Sequence, residues 1–230
     1  MSYSEATEEY LKTICKLGGA HEPVAMSVLA TRLDVSTVSA HEMVRKLDEQ
    51  ELVTYQPYKG VTLTSAGVEA ANRVLRGHRL WERFLHDRLG LPWAQVHEEA
   101  NQLEHVTSPA VADKLAEFLN NPTTCPHGHP IETQGYGCDS QEDDVWSLSD
   151  LDIGEKTIIL SVPEDDNDLL NYLDEMGLRP GVKLTIVDIA PLDGPMTIDV
   201  RGERKVIGHK LATQIMVENG ETDSPEYVAA

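Results

Sequence analysis

MSVLATRLDVSTVSAHEMVRKLDEQ, residues 26–50, is the stretch whose reading decides the fold. Met26 to Leu33, with Ser27 near its start, and about Val38 to Gln50 each show helical periodicity, and only the polar link Asp34-Val35-Ser36-Thr37 separates them. Two short helices joined so tightly predict a helix-turn-helix. In the second helix Val38, Met43, Val44 and Leu47 form an apolar stripe, while Ser36, Thr37, Ser39, His41, Glu42, Arg45 and Lys46 supply the polar side. One side packs and the other is left to enter a major groove, its short donors near the N-terminus reaching base edges or phosphates.

Working outward, Leu52-Val53-Thr54-Tyr55 and Val61-Thr62-Leu63-Thr64 are rich in β-branched residues and flank a turn-forming run, Gln56 to Gly60. That hairpin is the expected wing, with Tyr58 and Lys59 at its tip. Upstream, Ala6, Tyr10, Ile14 and Leu17, with Leu11 alongside, space out an amphipathic first helix over residues 5 to 17, ended by Gly18 and Gly19. Arg45, Lys46 and Lys59 are the expected phosphate contacts, with Lys12 and Arg32 as further candidates. Residues 1 to 65 carry six basic residues against nine acidic ones, which also suits a plain three-helix bundle with a solvated charged face. The DNA reading rests on the local concentration of cations at the proposed recognition surface.

The remainder of the 230 residues predicts further units. Ser65 to about Asn120 is helical, broken at Gly90-Leu91-Pro92 and at Ser108-Pro109, where Ser108 is placed to cap a helix with Pro109 at its first position. Lys156 to Val162, Lys183 to Ile189 and Met196 to Val200 read as strands, with a short helix from Asp168 to Met176 stopped by Gly177. The expected fold is therefore mainly α with a small β domain. It comprises a winged helix-turn-helix at 1–65, a helical dimerisation and metal-binding domain at 66–132, a linker at 133–150, a small β-barrel at 151–218 and a tail at 219–230.

Composition narrows the classes of function. A formal charge of −20 argues against broad polyanion binding, because phosphate contacts need Lys and Arg to displace counterions. Three cysteines, Cys15, Cys125 and Cys138, are too few for a disulfide scaffold. No apolar run is long enough to span a membrane, and the N-terminus lacks the pattern of a secretory signal, so a cytoplasmic protein is expected.

A second constellation carries chemistry. After Pro92 come His97, Glu98, Glu99, Asn101, Glu104 and His105. At about 100° per residue, positions 97, 101, 104 and 105 fall within roughly a quarter of a helix circumference. His78 and Glu82 form an i, i+4 pair on the preceding helix, and Glu8 and Glu9 lie on the first helix. Imidazole with carboxylate and no thiolate suits Mn2+, Fe2+, Co2+ or Zn2+, and an oxygen-rich set favours Mn2+ or Fe2+. Cys125-x-His127-x-His129, among prolines and a glycine, reads as a rigid turn because it fits no common zinc spacing. Cys15, without a basic cluster beside it, reads as packing. A metallohydrolase centre at His97, Glu104 and His105 is the enzyme alternative, but His97-Glu98 is not followed by a histidine at 101. A metal-sensing adaptor is the third reading.

Leu33-Asp34-Val35-Ser36, Met43 to Asp48, Tyr58 to Thr64, His78 to Leu85, His97 to Ala100, Leu103 to Val106 and Asn121 to Ile131 together resemble the diphtheria toxin repressor family of metalloregulators. Residues 151 to 218 look like that family's SH3-like domain. The resemblance implies a homodimer that binds double-stranded palindromic operator DNA and represses metal-uptake genes when Mn2+ or Fe2+ is plentiful, with Co2+, Zn2+ or Cd2+ substituting in vitro. By position it implies a controlling metal site of Glu9, Asn101, Glu104 and His105, a second site of His78 and Glu82 with His97, and a ligand from the SH3-like domain at Glu164. His78 is alternatively a member of the first group, as in manganese-type members. Iron-type members place Met on the first helix and Cys where Asn101 stands, whereas manganese-type members have carboxylates at both. Glu9 agrees with the manganese type, Asn101 with neither, and Lys12 stands where manganese-type members place another carboxylate.

Overall fold

The computed structural model describes residues 3–131, 138 and 145–218. The expected tail at 219–230 and, apart from Cys138, positions 133–144 of the expected linker lie outside the described residues. The chain divides into two compact units, Met1–Gly90 with Glu98–Cys125 and Pro130–Gln141, and Leu91–His97 with Pro126–His129 and Glu142–Ala230.

The first unit opens with α1 (Glu5–Lys16), where Ser4 Oγ accepts from Thr7 N and so satisfies one of the orphan amides of the first turn. Thr7, Tyr10, Leu11, Ile14 and Cys15 make its buried side, with Thr7 in the place expected for Ala6. α2 (Met26–Arg32) and α3 (Thr37–Glu49) follow. Between them Asp34 takes a left-handed φ of 52°, a conformation Asp tolerates, and Val35 N donates to Ala30 O at 3.0 Å. Ser36 caps α3 by accepting from Ser39 N. Ala40, Val44 and Leu47 turn into the core. Val38, expected in that stripe, lies in the first turn of α3 and is instead 69% exposed.

β1 (Val53–Gln56) and β2 (Gly60–Leu63) pair antiparallel with Val53 opposite Leu63, giving the expected wing. Val61 also bridges to Val24, which ties the hairpin to the chain before α2. Leu11, Ile14, Leu29, Leu47, Leu52, Val61 and Leu75 meet in one core. The 23-residue α4 (Ser65–Asp87), capped by Thr64, spans two such clusters. Its first half gives Ala70, Ala71 and Leu75 to the winged-helix core, and Leu80 joins Ala112, Leu115, Ala116, Leu119 and Ile131 in the second. α5 (Val96–Glu104) and α6 (Pro109–Phe118) complete the helices, with Ser108 capping and Pro109 at the start of α6 as expected.

In the second unit β3 (Val145–Ser147), β4 (Lys156–Ser161), β5 (Lys183–Ile189), β6 (Met196–Val200), β7 (Glu203–Ile207) and β8 (Met216–Glu218) form one antiparallel sheet in the order β3-β8-β4-β5-β6-β7. Where a closed barrel was expected, the described residues give an open sheet, since β3 and β7 are its two unjoined edges. α7 (Asn167–Glu175) is capped by Asp166 and ends before Gly177 at φ 65°. With the short α8 (His209–Ala212), it covers a core that includes Ile159, Leu170, Leu173, Ile186, Ile198 and Val217.

Candidate metal centre and DNA-facing surface

Glu8, Glu9 and Lys12 share one side of α1, and Asn101, Glu104 and His105 share one side at the end of α5. The structure brings these two sets together. His105 Nδ1 lies 2.9 Å from Glu8 Oε2, and its Nε2 lies 3.6 Å from Glu9 Oε2 and 3.2 Å from Glu104 Oε1. Glu9, Glu104 and His105 each offer a ligand atom within 4.8 Å of the others. The donor set suits a hard divalent cation: two carboxylates and an imidazole, with the amide oxygen of Asn101 beside them.

Lys12, expected as a candidate phosphate contact, is instead buried in this cluster, 5% exposed and unable to reach DNA. Its Nζ donates to Glu104 Oε1 at 2.6 Å and to Asn101 Oδ1 at 3.2 Å, and pairs with Glu9 Oε2 at 2.8 Å. Burial forces this pairing, because an ammonium out of water needs acceptors and opposite charge around it. A cleft of about 540 Å³ lies alongside, lined by Glu8, Glu104, His105, Arg73 and Thr107 among others.

From α4, His78 reaches Glu104 Oε2 through Nδ1 at 2.6 Å and Glu82 Oε1 through Nε2 at 3.0 Å. His78 thus touches Glu104 of the first group through one ring nitrogen and Glu82 of the second through the other. His78 and Glu82 are both fully buried. Burial alone would lower the imidazole pKa, but the charges and hydrogen bonds of Glu82 and Glu104 outweigh it and push His78 up to about 9. For His105 the hydrogen bond with Glu9 leads, burial opposes it, and Glu8 adds to it, raising the ring to about 8. Burial pushes the carboxyl of Glu9 up, but His105 and Lys12 together hold it down to about 2. Glu104 is lowered in the same way, its burial outweighed by His78 and Lys12. Acid and base thus alternate from Glu82 through His78, Glu104, Lys12 and Glu9 to His105 and Glu8.

The residues that the resemblance assigns to a second site and to the SH3-like domain divide between the units. His78 and Glu82 belong to the first, and His97 and Glu164 to the second. His97 is buried, with Nε2 3.7 Å from Asp165 Oδ1. Glu164 Oε2 lies 3.4 Å from His129 Nε2 and 3.9 Å from His127 Nδ1. The reading of residues 125 to 129 as a turn missed this approach of two imidazoles to Glu164; their alternate spacing was the available signal. The segment is nonetheless a tightly docked turn. His127 Nε2 bonds with Trp93 O at 3.0 Å and His129 Nε2 with Val162 O at 2.9 Å, and Val162 N donates to His127 O at 3.1 Å.

On the winged helix, Ser36, Thr37, Ser39, Glu42, Arg45 and Lys46 are exposed along α3, and Tyr58 and Lys59 are exposed at the wing tip. His41 is half-buried with its ring edge-on to Tyr55, 5.6 Å between centroids. Of these polar residues it alone is committed to packing.

A winged helix whose first helix also carries one half of a carboxylate and imidazole cluster defines the class, a DNA-binding regulator with a metal-ligand set built into its reading head. Comparison with known proteins agrees. Three family descriptions match in succession: "Iron dependent repressor, N-terminal DNA binding domain" over residues 2–61, "Iron dependent repressor, metal binding and dimerisation domain" over 64–133, and "FeoA domain" over 146–219. The chain is 34% identical to the iron-dependent repressor IdeR of Mycobacterium tuberculosis, covering 93% of this chain and 97% of that protein. It is 32% identical to the diphtheria toxin repressor of Corynebacterium glutamicum, covering 94% and 97%. Among solved structures, a manganese-dependent transcriptional repressor in complex with manganese superimposes with a TM-score of 0.84 at 30% identity, over 93% of this chain and 99% of that one. ScaR with bound Cd2+ gives 0.81 at 30% identity, over 93% and 99%. The chain belongs to the diphtheria toxin repressor family of metal-dependent, DNA-binding transcriptional repressors. These relatives are named as repressors, so the family gives no support to the hydrolase alternative.

Proposed function

We propose that this protein is a cytoplasmic repressor of metal-uptake genes that binds a palindromic operator as a homodimer when Mn2+ or Fe2+ is plentiful. In this reading residues 1–65 read DNA, 66–132 dimerise and bind metal, and 151–218 are an auxiliary domain joined by the segment between. Glu9, Asn101, Glu104 and His105 are the controlling ligands, with His78 holding the far oxygen of Glu104. His78 and Glu82 in the first unit, and His97 and Glu164 in the second, are the remaining metal-binding candidates. A bound divalent ion would supply positive charge shared by carboxylates of α1 and α5. The oxygen-rich donors favour Mn2+ or Fe2+, with Co2+, Zn2+ or Cd2+ as substitutes in vitro.

The chain's own residues do the coupling. Glu8 and Glu9 are fixed on α1, which packs against the reading head, while Asn101, Glu104 and His105 are fixed on the helical domain. Whatever cation draws these two sets together sets the pose of α3, and through it the exposed Ser36, Thr37, Ser39, Glu42, Arg45, Lys46, Tyr58 and Lys59, with His41 buttressing Tyr55. A ligand that binds one pose better than another shifts the population by its differential affinity. The convergence of α1 carboxylates on the end of α5 carries this reading. Its test is electrophoretic mobility shift on palindromic DNA with Mn2+, with Fe2+ and with chelator. Tighter binding with metal is expected, and equal binding in all three overturns it.

A further inference from the structure

At the point where Glu9, Asn101 and Glu104 converge, the chain has put a cation of its own. Lys12 Nζ is within 3.2 Å of an oxygen from each of the three, and nearest to Glu104 at 2.6 Å. These are distances at which a carboxylate has committed its charge to the ammonium. Lys12 and Glu104 are both buried, so water screens neither partner. The stem starts one turn after Glu8 on α1, so the same helix that offers carboxylates to a metal delivers their competitor.

We propose that Lys12 is a tethered counter-cation that sets the metal threshold of this site: a divalent ion gains the oxygens of Glu9, Asn101 and Glu104 only by displacing the ammonium. This rests on the metal-dependent reading above and deepens it. A neutral residue at position 12 would leave the same oxygens without a resident cation and remove the repulsion between Lys12 and an incoming ion. A divalent charge a few ångströms from a buried ammonium is opposed strongly enough that relief is read as a change of affinity of about tenfold or more. Lys12 also holds α1 against α5 in the absence of metal, so it makes the metal-free protein closer in shape to the loaded one than four bare ligands would be.

The experiment measures Mn2+ binding to the full chain by isothermal titration calorimetry, with bound metal counted by elemental analysis, for wild type, Lys12→Met and Lys12→Gln. Thermal unfolding of each is followed in chelator and in excess Mn2+. Both variants are expected to bind Mn2+ about tenfold or more tightly than wild type, to melt lower in chelator and to regain more on adding Mn2+. Unchanged or weaker Mn2+ affinity in the variants overturns the role of Lys12. A variant that folds only with Mn2+ present supports it, and should one variant fail to fold under either condition, the other decides. Mobility shifts on the same samples separate the two readings. Metal-responsive DNA binding in wild type with no gain in the variants removes the threshold and leaves the repressor. Gain in the variants with DNA binding indifferent to metal throughout does the reverse.

Discussion

His105 Nδ1 and Glu8 Oε2 lie 2.9 Å apart across 97 positions of sequence, so the first helix of the reading head is fastened to the end of α5 by an imidazole. Because His105 also faces Glu9 and Glu104, it is the residue on which both elements of the proposed switch depend. Replacing it removes that fastening and an expected ligand together. His105→Ala is expected to give the same operator affinity in Mn2+ as in chelator, with stability in chelator lowered by roughly 1–2 kcal/mol for a partly buried charged hydrogen bond. Fluorescence anisotropy on labelled operator measures the first and urea unfolding the second. A variant whose DNA binding still responds to Mn2+ as wild type does would exclude His105 from the switch.

Metal-free stability should fall on the alkaline side. His78 and His105 have raised folded-state values of about 9 and about 8, so each contributes stability that is complete below the ordinary imidazole value near 6.5 and is lost as pH rises through those values. Glu9, held down to about 2, and Glu104, also lowered, work in the opposite direction. Their contribution is present above the ordinary value of 4.5 and is lost as pH falls through the folded values. Urea midpoints in chelator are therefore expected to be highest between about pH 5 and 6.5 and to decline towards pH 9. A midpoint that rises from pH 6.5 to 9 would contradict the pairing of both histidines with their carboxylates.

Much of this was legible in the sequence because local rules and tertiary packing agreed. Ser108-Pro109 marks the start of α6 where the structure has it, and β-branched runs mark the wing. The helical period grouped His97, Asn101, Glu104 and His105, and the last three meet Lys12 and Glu9, whereas His97 lies near Asp165. What failed was non-local. Val38 fits an apolar stripe by spacing, yet in the first turn of α3 it is exposed while Ala40, Val44 and Leu47 are buried. Lys12 reads as a surface cation on an amphipathic helix, and only the arrival of α5, about ninety residues later, turns it into a buried partner of Glu104. The strands β3 and β8 are three residues long, too short for alternation to announce them, and β7 opens with the charged run Glu203-Arg204-Lys205 and buries only Ile207.

The exposed cations of the reading head should act through the salt dependence of binding. Arg45 and Lys46 on α3 and Lys59 on the wing are exposed. Each alanine replacement is expected to weaken operator and non-operator DNA alike and to reduce the slope of log affinity against log salt by about one. Melting temperature should hardly move, since surface changes of this kind stay within about 0.5 kcal/mol. Lys16, on α1 and half-buried, serves as the control. A replacement at Lys59 that leaves the slope unchanged would take the wing off the phosphate backbone.

The wing itself is positioned by a glycine. Gly60 has a φ of +133°, and a Cβ built there would lie 2.3 Å from the carbonyl oxygen of Val24. That carbonyl accepts from Val61 N at 3.0 Å, and Val24 N donates back to Val61 O at 2.9 Å, so backbone rather than a movable side chain blocks the space. Gly60→Ala is expected to cost about 1–3 kcal/mol for the backbone conformation, with more from the clash, and to loosen the bridge between Val24 and the hairpin. Tyr58, two residues earlier, has φ 66° and is fully exposed, so Tyr58→Gly relieves a left-handed strain of roughly 1–2 kcal/mol while adding unfolded-state entropy of similar size. The two substitutions should therefore part company: Gly60→Ala lowers both melting temperature and DNA affinity, whereas Tyr58→Gly lowers DNA affinity with little change in melting temperature. Calorimetry and anisotropy on the two variants read this directly, and a Gly60→Ala protein as stable as wild type would show that the hairpin does not need its close approach to Val24.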